Sequence, residues 1–178
     1  MAHNDLMLRS TSAGACALAV FLSATTAWSM ARAQPAADAA ALGMTLAELQ
    51  AAYPTLQRVA RPVVAPHGLR GQWRLDDRQI AGLPFETTFF MQGQRVQRIE
   101  QLRIDTSQPC AQQDEFSAVV HATGLQYGGG VTGFASTGVD AFGTVGDADV
   151  SAHLQVSAAM CSIRVVYKPT VLRDASTL

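Results

Sequence analysis

Apolar residues recur with two different periods along this chain, and the switch between them predicts where helices give way to strands. Leu46, Leu49 and Tyr53 fall at i, i+3 and i+7, one stripe of a helix. Thr45 precedes them with Glu48 three residues on, a capping box in which each side chain satisfies the other's free backbone N–H. Pro54 stops the helix, because proline lacks a donor and clashes with the preceding turn. A connection holding Pro62 and Pro66 follows. Strands are then expected over "LRGQWRLDD" (69–77), "LPFETTFFM" (83–91) and Val96 to Ile104, with "QGQ" at 92–94 as a short turn. Val96, Ile99 and Leu102 cannot share one face of a strand without a bulge, which leaves that register open.

The second half repeats the order. Pro109 suits a first helical turn, Asp114 and Glu115 face the positive end of the dipole, and Phe116, Val119, Val120, Thr123 and Tyr127 trace a stripe. Gly128 is the expected left-handed cap. A Gly/Thr/Ser/Asp stretch, 129–149, carries little pattern beyond "DAFGTVG", room for a short strand. "SAHLQVSAAMCSIRVVYKP" reads as a hairpin with Cys161, Ile163, Val165 and Tyr167 on one face, ended by Pro169. The expected fold is α+β: two helix-plus-antiparallel-strand repeats, 43–105 and 106–169, with helices on one face of antiparallel sheet. The second repeat holds a Gly-rich loop at 128–149, and 170–178 is a tail.

The residues before the first helix change the setting. Arg9, the apolar run Ala13 to Trp28 and "ARA" at 31–33 have the layout of a cleaved signal peptide over 1–33, followed by a flexible leader, 34–42. The run is shorter than the ~20 residues that span a bilayer. Cys16 lies before most of it, not after it as a lipid-modified cysteine would. The expected product is periplasmic or secreted, with 145 of the 178 residues left after cleavage near Ala33. Of the 13 basic and 14 acidic residues, 11 and 13 remain, a net charge near −2 that favours neither nucleic acid nor an anionic membrane. The charge is unevenly spread: eight arginines lie between Arg58 and Arg103, whereas six acids and no Lys or Arg lie between Asp105 and Asp149.

Cleavage leaves Cys110 and Cys161. In an oxidising compartment a lone pair most simply forms one disulfide, here closing a loop of about 50 residues and stabilising by roughly 4 kcal/mol in the chain-entropy model.

"LGMTLAELQAAYP" with "GLPFETTFFMQGQRVQRIEQL", and "EFSAVVHATGLQYG" with "CSIRVVYKP", resemble the BamE-like and β-lactamase-inhibitor-protein-like (BLIP-like) periplasmic α+β modules over roughly 42–104 and 114–169. The resemblance implies a non-enzymatic binding role and names no partner. The chain departs from the BamE type in lacking a placed lipobox and in its insertion at 129–149.

No constellation in the sequence outweighs that implication. "YGGGVTG" (127–133) spells G-x-G-x-x-G, but a helix precedes it where a dinucleotide site needs a strand, so no nucleotide cofactor is expected. His67, His121 and His153 have no partner at a ligand spacing, and Asp140, Asp147 and Asp149 lack the distant Glu of a calcium loop. No metal is expected. "GFASTG" (133–138) has the wrong spacing for a nucleophile elbow. Glu86 and Glu100 are a possible acid/base pair on adjacent strands, though neighbouring arginines are simpler partners.

Candidate partner-binding residues are easier to find. Trp73 flanked by Arg70 and Arg74 has the composition of an interface anchor, and the Gly-rich loop adds Phe134, Phe142, Asp147 and Asp149. The reading is a periplasmic, non-enzymatic binding module for another envelope protein, most concretely an inhibitor or immunity protein against an envelope-acting hydrolase. The alternatives are an envelope-assembly accessory and a small hydrolase.

Overall fold

The computed structural model describes residues 38–106, 112–128, 137–157 and 160–170. Helices α1 (Leu46–Ala52) and α2 (Gln112–Thr123), with helical residues at 38–40 and a 3-10 turn at Pro66–Gly68, accompany eight strands among the described residues: β1 (Gln57–Val64), β2 (Arg70–Ile80), β3 (Leu83–Gln92), β4 (Arg95–Asp105), β5 (Gln126–Tyr127), β6 (Thr137–Val145), β7 (Ala148–Val156) and β8 (Cys161–Pro169). All eight belong to one continuous antiparallel sheet in the order β1-β2-β3-β4-β8-β7-β6-β5. This corrects the expectation of two helix-plus-strand repeats. Strand pairing runs unbroken through the β4–β8 junction, where seven consecutive residue pairs from Ile99–Tyr167 to Asp105–Cys161 are in register.

Local signals explain most of the elements. The capping box at Thr45 and Glu48 closes as expected, with the Thr45 N–H donating to Glu48 Oε2 at 2.7 Å and the Glu48 N–H to Thr45 Oγ1 at 3.4 Å. Three two-residue turns join consecutive strands. Gly93 (φ 62°) and Gly146 (φ 58°) supply the positive φ in the β3–β4 and β6–β7 turns, while the β2–β3 turn takes it at both Ala81 (φ 52°) and Gly82 (φ 78°). In α2 the left-handed residue is Gly124 (φ 69°), not Gly128. The helix ends four residues early because the Leu125 N–H already closes back onto the Val120 carbonyl.

The open register of β4 is resolved by a bulge. Phe90 pairs with Arg98 but Met91 pairs with Val96, so Gln97 is the extra residue. Val96 and Ile99 therefore share the buried side, while Leu102 faces the other way. Two further register shifts in β2 bend that strand. The curved sheet lets α2 touch β7, β8 and, across the fold, β2.

The core lies on the helix side of the sheet. Leu49 of α1 and Phe116, Val119 and Val120 of α2 pack onto Leu75, Phe85, Phe89, Ile99, Ile163, Val165 and Tyr167. Residues 38–42, expected within a flexible leader, are seated there too: Asp38 and Ala41 are buried. The Gly-rich loop is also shorter than expected, since 137–145 is strand. Its glycine-rich part, 129–136, lies outside the described residues, as do 1–37 and 171–178.

Candidate functional site

Eight strands at the usual spacing of about 4.8 Å give a sheet about 34 Å wide. The helices and the N-terminal segment pack on one side of it; the other, open face carries neither α-helix, and Pro66, His67 and Leu69 of the β1–β2 connection line a depression there with Arg98, Asp149 and Lys168. Three neighbouring rows of side chains characterise this open face.

The first row is built around an aromatic ring. Gly71, Phe90 and Arg98 are cross-strand neighbours on β2, β3 and β4. A Cβ on Gly71 would stand 3.1 Å from two Phe90 ring atoms and 2.8 Å from Thr88 Cγ2, so glycine is what allows the ring to lie against the strand. Arg98 stacks above the ring, its guanidinium carbon 5.8 Å from the centroid. Phe90 is thereby buried although it faces outward.

A second group is ionic. Arg98 reaches Glu100 at 2.5 Å, and Arg164 approaches the other oxygen of Glu100 at 4.0 Å. Arg74 pairs with Asp76 and Glu86 at 2.9 and 3.4 Å. Glu86 and Glu100, considered as an acid/base pair, thus each hold an arginine.

The third group lies on the β6–β7 hairpin. Asp140 faces His153 directly in the register, and Phe142 faces Ser151. His153 Nδ1 is 2.7 Å from Asp140 Oδ1, and its Nε2 is 3.1 Å from Ser151 Oγ. Phe142 meets the imidazole edge-on, centroids 6.0 Å apart, and its ring lies against Gly128, where a Cβ would come within 2.8 Å. Gly128 is therefore a platform for an aromatic ring in an extended segment, its N–H bonded to the Asp140 carbonyl at 2.9 Å.

The structure separates several residues that the sequence grouped. Trp73 and Arg74 alternate across β2: Trp73 packs half-buried against the core, opposite Phe89, while Arg74 lies on the open face. Arg70 is exposed at the start of β2, paired with Met91 on the helix side. These three do not form one anchor. Phe142 and Asp149 do come together, lining one shallow depression. Asp147 sits in the β6–β7 turn, its carbonyl accepting from the Thr170 N–H at 3.0 Å. Phe134 and Cys110 lie outside the described residues. Cys161 is fully buried and disulfide-bonded, and its register partner Asp105 precedes Cys110 by five residues.

Along the chain Ser151 carries no motif and His153 has no partner at a ligand spacing, because its contact to Asp140 forms across strands. The signal was there: S-x-H in a strand puts both side chains on one face, and a two-residue turn at Gly146–Asp147 brings Asp140 opposite His153.

Among the described residues no three His, Cys, Asp or Glu side chains cluster as a metal site, and no helix is long and apolar enough to cross a membrane. No protein family, curated protein or solved structure matches the chain.

Proposed function

We propose that the protein is an exported protein-recognition module that presents the open face of its sheet to a partner in the cell envelope, as an inhibitor or immunity protein against an envelope-acting hydrolase. One observation carries this reading: the face of the eight-stranded sheet turned away from the helices mixes half-exposed Phe142 with the Arg74, Arg98 and Arg164 ion pairs. Aromatic and arginine side chains on a rigid sheet are the composition of interface anchors, and they lose little conformational freedom on docking. Export is supported by the signal-peptide pattern at 1–33, and the inhibitor form by the sequence likeness to BLIP-like modules.

The test is reconstitution of the full mature chain with envelope hydrolases. We expect a 1:1 complex that inhibits one hydrolase and is lost in Phe142→Asp and in Arg98→Glu. Arg61→Glu, on the exposed edge strand β1, should leave it intact. Loss in Arg61→Glu alone would move the interface to the edge. A stable complex with outer-membrane assembly components, and with no hydrolase, would favour the accessory role instead.

A further inference from the structure

We infer that Ser151, His153 and Asp140 form a hydrolytic relay that cleaves a small neutral carboxylic ester on the open face. The inference goes beyond the recognition role and stands independently of any partner.

Hydrogen-bond logic assigns the protons. An ionised carboxylate only accepts, so the 2.7 Å contact to Asp140 Oδ1 requires His153 Nδ1 to carry the hydrogen. In the neutral ring this tautomer leaves the lone pair on Nε2, so the Ser151 hydroxyl 3.1 Å away donates to it. That is the orientation a serine nucleophile needs: a base on the hydroxyl and a carboxylate holding the base in its working tautomer. Such relays are recognised by geometry and role, not by order along the chain. Here adjacent strands hold all three groups, and Phe142 braces the imidazole edge-on.

Ser151 opens onto a depression of about 440 Å³ that it lines with Phe142, Thr144, Asp149, Val166 and Lys168. Phe142 and Val166 offer an apolar bed for a short acyl chain. In the first step Ser151 Oγ bonds to the ester carbonyl carbon and its proton passes to His153 Nε2. The charge that develops on the carbonyl oxygen is met by the Lys168 ammonium, the cation in the depression. Collapse breaks the carbon–alkoxy bond, and the departing alcohol takes the proton from Nε2. Water then attacks the acyl-serine, giving one proton to His153 that returns to Ser151 Oγ as the carboxylic acid leaves. The sum is ester plus water to acid plus alcohol.

Two features restrict the substrate. β7 is paired along its whole length with both β6 and β8, so its backbone N–H groups are committed to the sheet and supply no oxyanion hole. A missing donor of that kind costs on the order of 100- to 1,000-fold in rate, which favours esters with good leaving groups over amides. The depression is shallow, which favours short acyl groups.

The experiment uses the full mature chain with p-nitrophenyl acetate and butyrate, and a fluorophosphonate probe located by peptide mass. We expect the probe on Ser151 and hydrolysis above buffer. Ser151→Ala should abolish both, and His153→Ala should lower the rate on the order of 100-fold or more. Asp140 is a positioning residue: Asp140→Asn should lose labelling with the fold intact, while Asp140→Glu recovers part of it. Ser157→Ala, outside the relay, should label normally. Labelling elsewhere than Ser151, or a rate unchanged in Ser151→Ala, overturns the proposal.

Discussion

Asp38 and Arg78, forty residues apart, form an ion pair between the N-terminal segment and the sheet, the carboxylate buried and the guanidinium largely so. Gln101 Nε2 donates to the second Asp38 oxygen at 3.0 Å, and the Arg78 guanidinium lies 5.5 Å from the Tyr53 ring centroid. Breaking a buried pair from one side strands the other charge, so Asp38→Ala should destabilise by about 3–5 kcal/mol. Chemical denaturation measures this; a loss below about 1 kcal/mol would show that the pair is not buried in solution.

The same carboxyl yields a pH prediction. Burial pushes the Asp38 pKa up, outweighing the opposing pull of Arg78 and the hydrogen bonds. The folded state then binds the proton more readily than the unfolded chain. This site's contribution is fully present below the ordinary value of 3.8 and is lost as pH rises through the raised folded value. The Tm difference between wild type and Asp38→Asn should therefore grow as pH falls from 7 towards 4. Glu48 runs the other way, held low first by the Thr45 backbone N–H and then by its hydroxyl, but it is common to both proteins and cancels. A difference that shrinks on acidification would mean Arg78 dominates.

Tyr167 carries a fully buried hydroxyl with no hydrogen-bond partner among the described residues. Burial, foremost, pushes its pKa far up. Removing an unsatisfied polar atom costs nothing and relieves desolvation, so Tyr167→Phe should leave stability unchanged or raise it by about 1 kcal/mol. A clear fall in Tm would show that the hydroxyl is hydrogen-bonded in solution.

Two glycines under phenylalanine rings should respond differently to the same substitution. At Gly71 an added methyl meets Thr88 and the buried Phe90, which has no room to move, so Gly71→Ala should cost about 1–3 kcal/mol. At Gly128 it meets the half-exposed Phe142, whose ring can swing into solvent. Gly128→Ala should be the milder change, and Phe142→Ala should suppress its cost. Equal costs at both sites would refute the distinction.

The disulfide of Cys161 is expected to join it to Cys110. Non-reducing peptide mapping should recover that linked pair, and reduction should lower Tm. A free Cys110 thiol in protein purified under oxidising conditions would refute the pairing.

Much of this fold was legible one element at a time. Thr45 and Glu48 mark a helix start through contacts three residues apart, Gly93 marks a turn through its own backbone freedom, and Cys161, Ile163, Val165 and Tyr167 alternate within one strand. Such signals are local, so the chain alone carries them. β1 escaped notice because Pro62 reads as a connection. The structure tolerates it in an exposed edge strand, within the irregular stretch between Arg58 and Val63.

What the sequence determined by itself was therefore the helix at 46–52, most strands and, in β8, the alternation that buries one side. The tertiary structure decided what no short window holds: β8 lies against β4, making one sheet of two strand series, and Gln97 bulges to put Val96 and Ile99 on the same side. It also decided that Trp73 and Arg74 face opposite ways and that Asp140 meets His153 across thirteen residues. Pairing between distant strands closes long loops at an entropic cost, which is offset only when the whole sheet forms. Neighbours across strands are consequently a property of the assembled sheet, and in this protein the open-face site is made of such neighbours.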